Sequence, residues 1–392
     1  MNLAKLLEGP AIVTHRGQLF HSRGGAVLNP EASAFPIETD ILGPIDQRHL
    51  DNSIALTLTP VGVWTDPVLG VLYRWQNPSI GQLVTPVYDV DTIDTEADTI
   101  ELVGSEGPRK GCPINVASFG TMPTGLAEAT LYYAGVPSDA APNVISLHAT
   151  EAHALAGTNL IDLTDDGDGD HTIIEQEPLI IHTTRNRKIV FHNAAVVGMP
   201  AINFSAQQTL LGQVVFECFR KNNAAWSTAN SLFTITKEAL SITAPDPDDI
   251  PTQEYSFAWG ASPWNSWKTR GAFVISPQLQ LAAIESDARG TLGRKIQGIS
   301  VTAQGAPHGF SEQQMLDVLG LQGGTAARGV SRARADLTIT GTDVHCIMRG
   351  ASAQALPQTF SATDPRAGEI RFVGSRGPDA DDAFYVGTAA PA

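Results

Sequence analysis

The sequence predicts a mainly β protein made of two tandem copies of one β-rich unit, with a small acidic β-rich unit inserted into the first. Three observations point there: dense turn formers between short β-prone runs, an internal repeat that runs at two different offsets, and one segment that carries almost all of the net charge. The chain of 392 residues holds 36 Gly and 25 Pro. Short runs rich in Val, Ile, Thr and Phe alternate with them, which is the pattern of many short strands. With 42% hydrophobic and 17% charged residues, the chain is long enough for two or three domains that each bury a core.

The repeat fixes the organisation. SRGGAVLNP (Ser22 to Pro30) aligns without a gap on TRGAFVISP (Thr269 to Pro277), an offset of 247. From residue 22 to 40 seven of 19 pairs are identical: Arg23/Arg270, Gly24/Gly271, Val27/Val274, Pro30/Pro277, Ile37/Ile284, Glu38/Glu285 and Asp40/Asp287. SIALTLT (Ser53 to Thr59) and GISVTAQ (Gly298 to Gln304) follow in the two copies, and both alternate as half-buried strands do. Ile54, Leu56 and Leu58 then face one core, and Ile299, Val301 and Ala303 the other.

A helix signal comes next in each copy. Thr65 stands as a cap with Pro67 in the first turn, and Val68, Leu69, Leu72 and Trp75 share one face. In the second copy Ser311 and Gln314 have capping-box spacing before Met315, Leu316 and Leu319.

Near the ends of the copies, FSAQQTLLGQVVF (Phe204 to Phe216) aligns on FSATDPRAGEIRF (Phe360 to Phe372) at an offset of only 156. The first copy therefore contains a segment that the second lacks. PLIIH (Pro178 to His182) matched to DLTIT (Asp336 to Thr340) places that segment before Pro178. Charge marks the same region: from Thr85 to Gln176 there are 16 acidic residues against Arg109 and Lys110, a net of -14 out of -16 for the whole chain. The expected division is 1–84 with 177–245 as the first unit, 85–176 as the insertion and 250–392 as the second unit. VYDVDTI and DTIELVG alternate within the insertion, so it reads as a small β-domain on an exposed loop.

Several classes are excluded. No stretch approaches the roughly 18 apolar residues of a membrane span, and Met1 to Leu7 is too short for a signal peptide's apolar region, so no membrane partner is expected. The body outside the insertion is nearly neutral and lacks the basic footprint of a protein that grips nucleic acid. Cys112, Cys218 and Cys346 lie more than 100 residues apart, with no C-x-x-C pair, and read as buried free thiols. There is no G-x-S-x-G and no phosphate loop, so no catalytic residue and no cofactor is proposed.

RKIVFHNAAVVGMPAINFSAQQTLLGQVVFECFRKNNAAWSTANSLFTI (Arg187 to Ile235), TPVG with YRWQNPSIG (Thr59 to Gly81) and AWGASPWNSW (Ala258 to Trp267) carry a resemblance. In these residues the chain resembles the tail-tube (major tail) proteins of long-tailed bacteriophages, in the form that holds two tube domains in one chain. The resemblance takes in both copies and leaves the acidic insertion outside. It implies two packed β-sheets with one flanking helix per domain, and long hairpins that pair between neighbouring domains. Three subunits would then form a ring with pseudo-six-fold symmetry, and rings would stack into a tube. The implied partners are further copies of the chain, other tail proteins at the tube ends, and double-stranded DNA that passes through the lumen without specific binding. The implied location is the virion, after assembly in the host cytoplasm. A baseplate or tail-tip ring protein of the same fold is the nearest alternative. A carbohydrate-binding adhesive β-sandwich is another, with Tyr88, Tyr132 and Tyr133 as stacking residues.

The repeat also supplies contact candidates. Arg23, Glu38 and Asp40 match Arg270, Glu285 and Asp287, a pattern that suits ion pairs between domains or subunits. The competing reading is a turn at Arg-Gly with the charges solvated, and surface pairs contribute only about 0 to 1 kcal/mol. Asp166, Asp168, Asp170 and Glu177 have the spacing of positions 1, 3, 5 and 12 of a calcium loop, but His171 stands where that loop needs Gly. An acidic flexible loop is the simpler reading. His148, Glu151 and His153 lack the spacing of a helix-borne zinc pair and read as a surface helix or loop. His192 and His345 lie near corresponding places in the copies and read as structural, and Cys218 shares a face with Val214 and Phe216 and reads as core.

Overall fold

The computed structural model describes residues 11–39, 43–61, 64–76, 84, 87–104, 107–108, 110–127, 130–137, 141, 143–205, 209–219, 232–240, 255–260, 264, 266–286, 290–308, 334–359, 367–374 and 384–391. The fold is mainly β and belongs to the β-sandwich class, with antiparallel pairing in every ladder. In chain order the elements begin with β1 (Ala11–His15), β2 (Gln18–Thr39), β3 (Gly43–Val61) and α1 (Asp66–Leu72), followed by a single 3₁₀ turn at Arg74–Gln76. β4 (Val87–Asp94), β5 (Thr99–Leu102), β6 (Pro113–Ser118), β7 (Tyr132–Gly135), β8 (Val144–His148), α2 (Glu151–Ala156) and β9 (His171–Glu175) come next. The chain then returns through β10 (Leu179–Thr183), β11 (Arg187–Phe191), β12 (Asn193–Gly198), β13 (Ile202–Phe204), β14 (Thr209–Leu211), β15 (Val214–Phe219) and β16 (Phe233–Lys237). The last group is β17 (Ser256–Trp259), β18 (Lys268–Ser286), β19 (Gly290–His308), β20 (Ala335–Thr340), β21 (His345–Thr359), β22 (Ala367–Val373) and β23 (Phe384–Gly387).

These strands form three bodies of hydrogen bonding. One sheet runs β12-β15-β3-β2-β1-β10-β11-β16. A second runs β14-β13-β18-β19-β22-β21-β20-β17, with β23 also paired to β21. The third is a closed six-stranded barrel, β4-β5-β8-β7-β6-β9. The first two share one contiguous core, whereas the barrel has its own, built on Ile114, Tyr132, Ile145, Leu147 and Ile173.

The alternation read from the sequence is the alternation of burial. Leu56 and Leu58 on β3 and Val301 and Ala303 on β19 are all but fully buried, and Ile54 and Ile299 pack partly against the same core. The strand pairing repeats as well. In the β2–β3 hairpin the register shifts at Ser22/Ala26, Ser33/Ala34 and Ile37/Glu38. In β18–β19 it shifts at Arg270/Phe273, Gln280/Leu281 and Ile284/Glu285, and both strands stay in step under the one offset of 247. Leu56 faces Phe216 across β3–β15, just as their counterparts Ala303 and Phe372 face each other across β19–β22. Bulges bend a long hairpin at chosen points and raise its local twist, so two hairpins with the same three bulges share one curvature.

Two local details depart from the sequence reading. Thr65 is the N-cap of α1, but its side chain makes no capping bond. Pro67 removes one of the N–H groups that a cap serves, and the Thr65 carbonyl accepts from Leu69 N at 2.9 Å instead. Val68, Leu69, Leu72 and Trp75 are buried as the period requires. The helix signal from Ser311 to Leu319 lies outside the described residues.

Candidate functional site

The two long-hairpin sheets meet at a joint made chiefly by backbone pairing. The chain between β12 and β15 leaves the first sheet as the small hairpin β13–β14, and β13 adds to the edge of β18. Ile202 faces Ile275, Asn203 faces Val274, and Phe204 faces Phe273. Ile202, Phe204, Phe273 and Ile275 are all fully buried there. Burial of such side chains stabilises by roughly 1.5–3 kcal/mol each, so the apolar part of the joint is strong and the backbone ladder fixes its register.

A second contact joins α1 to β23. The Tyr73 and Phe384 rings meet edge to face at 5.9 Å, Val386 N donates to Gln76 Oε1 at 3.0 Å, and Thr388 N and Oγ1 each donate to an Asp66 carboxylate oxygen at 2.8 Å. The third contact is ionic: the Arg294 guanidinium on β19 donates through two nitrogens to the two oxygens of Glu217 on β15, both at 2.8 Å. That fork geometry fixes orientation as well as adding charge-assisted bonding.

The residues of AWGASPWNSW form core, not a ligand platform. Trp259 packs edge to face on Phe372 at 5.5 Å and Trp267 on Phe273 at 5.8 Å, and all four are buried.

A buried ion cluster lies where the chain returns from the barrel to the body. Glu177, two residues past the end of β9, is 3% exposed. Its Oε1 lies 2.5 Å from Arg16 Nη1, at the β1–β2 turn, and 2.6 Å from Arg74 Nη1, in the turn after α1. Arg74 also stacks 4.7 Å above the Trp75 ring. Glu175 sits next to this cluster, where it accepts bonds from the Tyr88 hydroxyl at 3.2 Å and the Cys112 thiol at 3.1 Å. Burial first, and the Glu177 charge second, push the Glu175 carboxyl above its usual range. The same burial pushes the Tyr88 hydroxyl up. A cleft of about 500 Å³ runs along this boundary, lined by Arg16, Lys110, Glu151, Gln176, Glu177 and Lys188 among others.

This geometry settles the fate of several candidates. Asp166, Asp168 and Asp170 are exposed on the loop before β9, while Glu177 is buried against its two arginines, so the four do not converge. Among the described residues no group of three or more His, Cys, Asp or Glu is placed to hold a metal ion. Glu177 is committed elsewhere, a buried carboxylate already neutralised by the guanidinium groups of Arg16 and Arg74. His148 lies buried on β8, its Nδ1 2.8 Å from the Thr158 carbonyl, and His153 sits on the short helix α2, which Thr150 caps. Tyr132 is buried and Tyr88 packs against the same barrel core, which leaves Tyr133 as the tyrosine beside the cleft.

Arg23 and Arg270 lie at the first bulge of their hairpins, each followed by a glycine in the left-handed region, Gly24 at φ +82° and Gly271 at +83°. Arg23 is exposed. Glu38 and Glu285 lie on β2 and β18, and their side chains, with Asp40 and Asp287, fall outside the described residues. The matched Arg-Gly pair therefore marks a backbone bulge. The ionic contacts between the sheets use Arg294 and Glu217, which the repeat does not single out because their counterparts are Gln47 and Val373.

No protein-family model matches the chain, and no curated protein matches it in sequence. Among the described residues no helix is long and apolar enough to cross a membrane.

Proposed function

We propose that the protein is a structural subunit of a phage tail tube, which forms trimeric rings with pseudo-six-fold symmetry that stack into a conduit for double-stranded DNA. The observation that carries this reading is the joint itself: two sheets with the same hairpin bulges are connected in series by addition of one sheet's β13 to the other's β18. A serial joint between like units is the element from which a ring is made. The resemblance noted in the sequence supplies the tail context, and with it the other tail proteins at the tube ends as partners. A body close to neutral suits passage of DNA, since phosphates would slide where dense positive charge would hold them. The acidic barrel fits an outward position, because a domain of that size would obstruct a lumen.

Negative-stain electron microscopy of the purified protein at high concentration tests the proposal. Rings with a central hole, stacked into tubes that bear external knobs, are expected. Single rings that never stack would favour a tail-tip ring, and monomers under all conditions would refute the tube subunit.

A further inference from the structure

The equivalence of the two long hairpins exposes a difference between them. The edge of β18 from Phe273 to Ile275 is occupied by β13. The corresponding edge of β2, from Ala26 to Leu28, pairs with no strand among the described residues, since β1 reaches only as far as Phe20. Its side chains are correspondingly uncovered. Val27 is 54% exposed, and Ala26 and Leu28 are only partly buried where Phe273 and Ile275 are completely buried.

A second surface shows the same asymmetry. Phe233 and Ile235 on β16 occupy the places of Phe384 and Val386 on β23, because each pair lies opposite the matched core positions of β11 and β21. Phe384 and Val386 are buried beneath α1 at 0% and 5%, whereas Ile235 is 38% exposed. Both uncovered places lie on the first sheet. In the second sheet, each is covered by an element that the first sheet contributes. A unit that gives two covers to its neighbour and, among the described residues, receives neither itself is one end of a head-to-tail series.

The missing strand also exists. The second sheet's counterpart of β13–β14 is the outer part of the β21–β22 hairpin, where Gln358 pairs with Gly368 and Thr359 with Ala367. Ala367 is the counterpart of Leu211 at the offset of 156, so Thr359, which pairs with Ala367, holds the place of Ile202, which pairs with Leu211. On its other side, this part of β21 has no strand partner among the described residues. An unpaired edge of this kind is a template for another chain.

We infer that the edge of β2 at Ala26–Leu28, unpaired among the described residues, is the docking site for the β21–β22 hairpin of a second copy of this chain, with Thr359 of that copy opposite Leu28. The pairing reproduces, between chains, the register of Ile202 opposite Ile275 within one chain. The same approach brings the second copy over β16 and covers Ile235. This deepens the assembly reading above and rests on it only in requiring that copies meet.

The test is disulfide trapping. Directly opposed residues of an antiparallel pair have Cα atoms about 4.5–5.5 Å apart, within the reach of a disulfide. The native Cys112, Cys218 and Cys346 are buried, so background linkage is low. Single variants Leu28→Cys and Thr359→Cys are mixed before concentration and mildly oxidised, with Asn203→Cys/Val274→Cys, a directly opposed pair, as the control that must close within one chain. A two-chain species that forms only in the mixture, together with loss of assembly in Ile235→Asp at unchanged melting temperature, is expected. If the control closes and microscopy shows rings but the mixture stays unlinked, the joint is wrong while the ring reading stands. If the control closes and neither rings nor linkage appear, both are overturned. Linkage of Leu28→Cys/Thr359→Cys only within one chain also overturns the joint.

Discussion

Arg74 and Glu177 are 103 residues apart in the chain, yet Arg74 Nη1 stands 2.6 Å from a Glu177 oxygen that Arg16 also contacts. The carboxylate is the buried member, at 3% exposure against 13% and 18% for the arginines. Its removal leaves two guanidinium groups facing each other at the root of the barrel. Glu177→Ala is expected to cost about 3 kcal/mol, the lower end for a broken buried pair, read as a drop in the urea midpoint. A loss below about 0.5 kcal/mol would mean that the arginines find water at no cost.

Glu175 makes stability depend on pH. Its folded-state pKa is raised by burial and by the neighbouring Glu177 charge. A carboxyl raised in this way contributes stability that is complete below its unfolded pKa and is lost as pH rises through the folded value. Glu175→Gln keeps the neutral form at every pH. The melting temperature of the variant relative to wild type should therefore climb from pH 4 toward pH 7, where about 4 is near the unfolded value. A difference that is flat across that range would show that Glu175 does not titrate in it.

Gly24 and Gly271 hold the same bulge conformation, and a Cβ built on either meets nothing within 4 Å. Substitution by Ala therefore costs backbone strain alone, on the order of 1 kcal/mol at each site. The sites lie in separate hairpins, so the double variant should lose the sum within about 0.5 kcal/mol. Thermal unfolding of the three variants measures this directly.

The Arg294–Glu217 fork predicts a difference between two cations. Arg294→Lys keeps the charge but loses one of the two parallel bonds, and about 1 kcal/mol of stability should go with it. The arginine side chain is 31% exposed, so solvent screening keeps the loss modest. A double-mutant cycle with Glu217→Gln reads the coupling. Zero coupling would mean that backbone pairing and apolar packing hold the joint without this ion pair.

What was legible in the sequence is what obeys a local period or recurs. The alternation in SIALTLT and GISVTAQ, the buried face of α1 and the burial of Cys218 all follow from side-chain direction along one element. The joint was hidden because addition of β13 to β18 is a choice of edge, and INF carries no code for which edge it joins. The ion pairs of Glu177 were hidden for a related reason. Its spacing from Asp166 suited a loop, while its partners come from 161 residues before it and from the YRW turn. A buried acid flanked by Gln176 and Pro178 gives no local sign of where its cations lie. The Arg294–Glu217 fork uses positions where the two copies differ, so the repeat gave no sign of it.

The barrel begins on β4 and ends on β9, and these two strands are neighbours, with Val87 opposite Ile174. Its entry and exit thus lie side by side, about 5 Å apart as in any antiparallel pair. To the rest of the molecule the whole segment is equivalent to a short turn between α1 and β10. Such a site accepts exchange: the barrel can be deleted, or replaced by another domain whose termini are adjacent, without resetting the distance the surrounding chain must span. The protein carries its largest concentration of negative charge on a segment whose two ends are adjacent, so that charge is separable in geometry from the strand-paired frame beneath it.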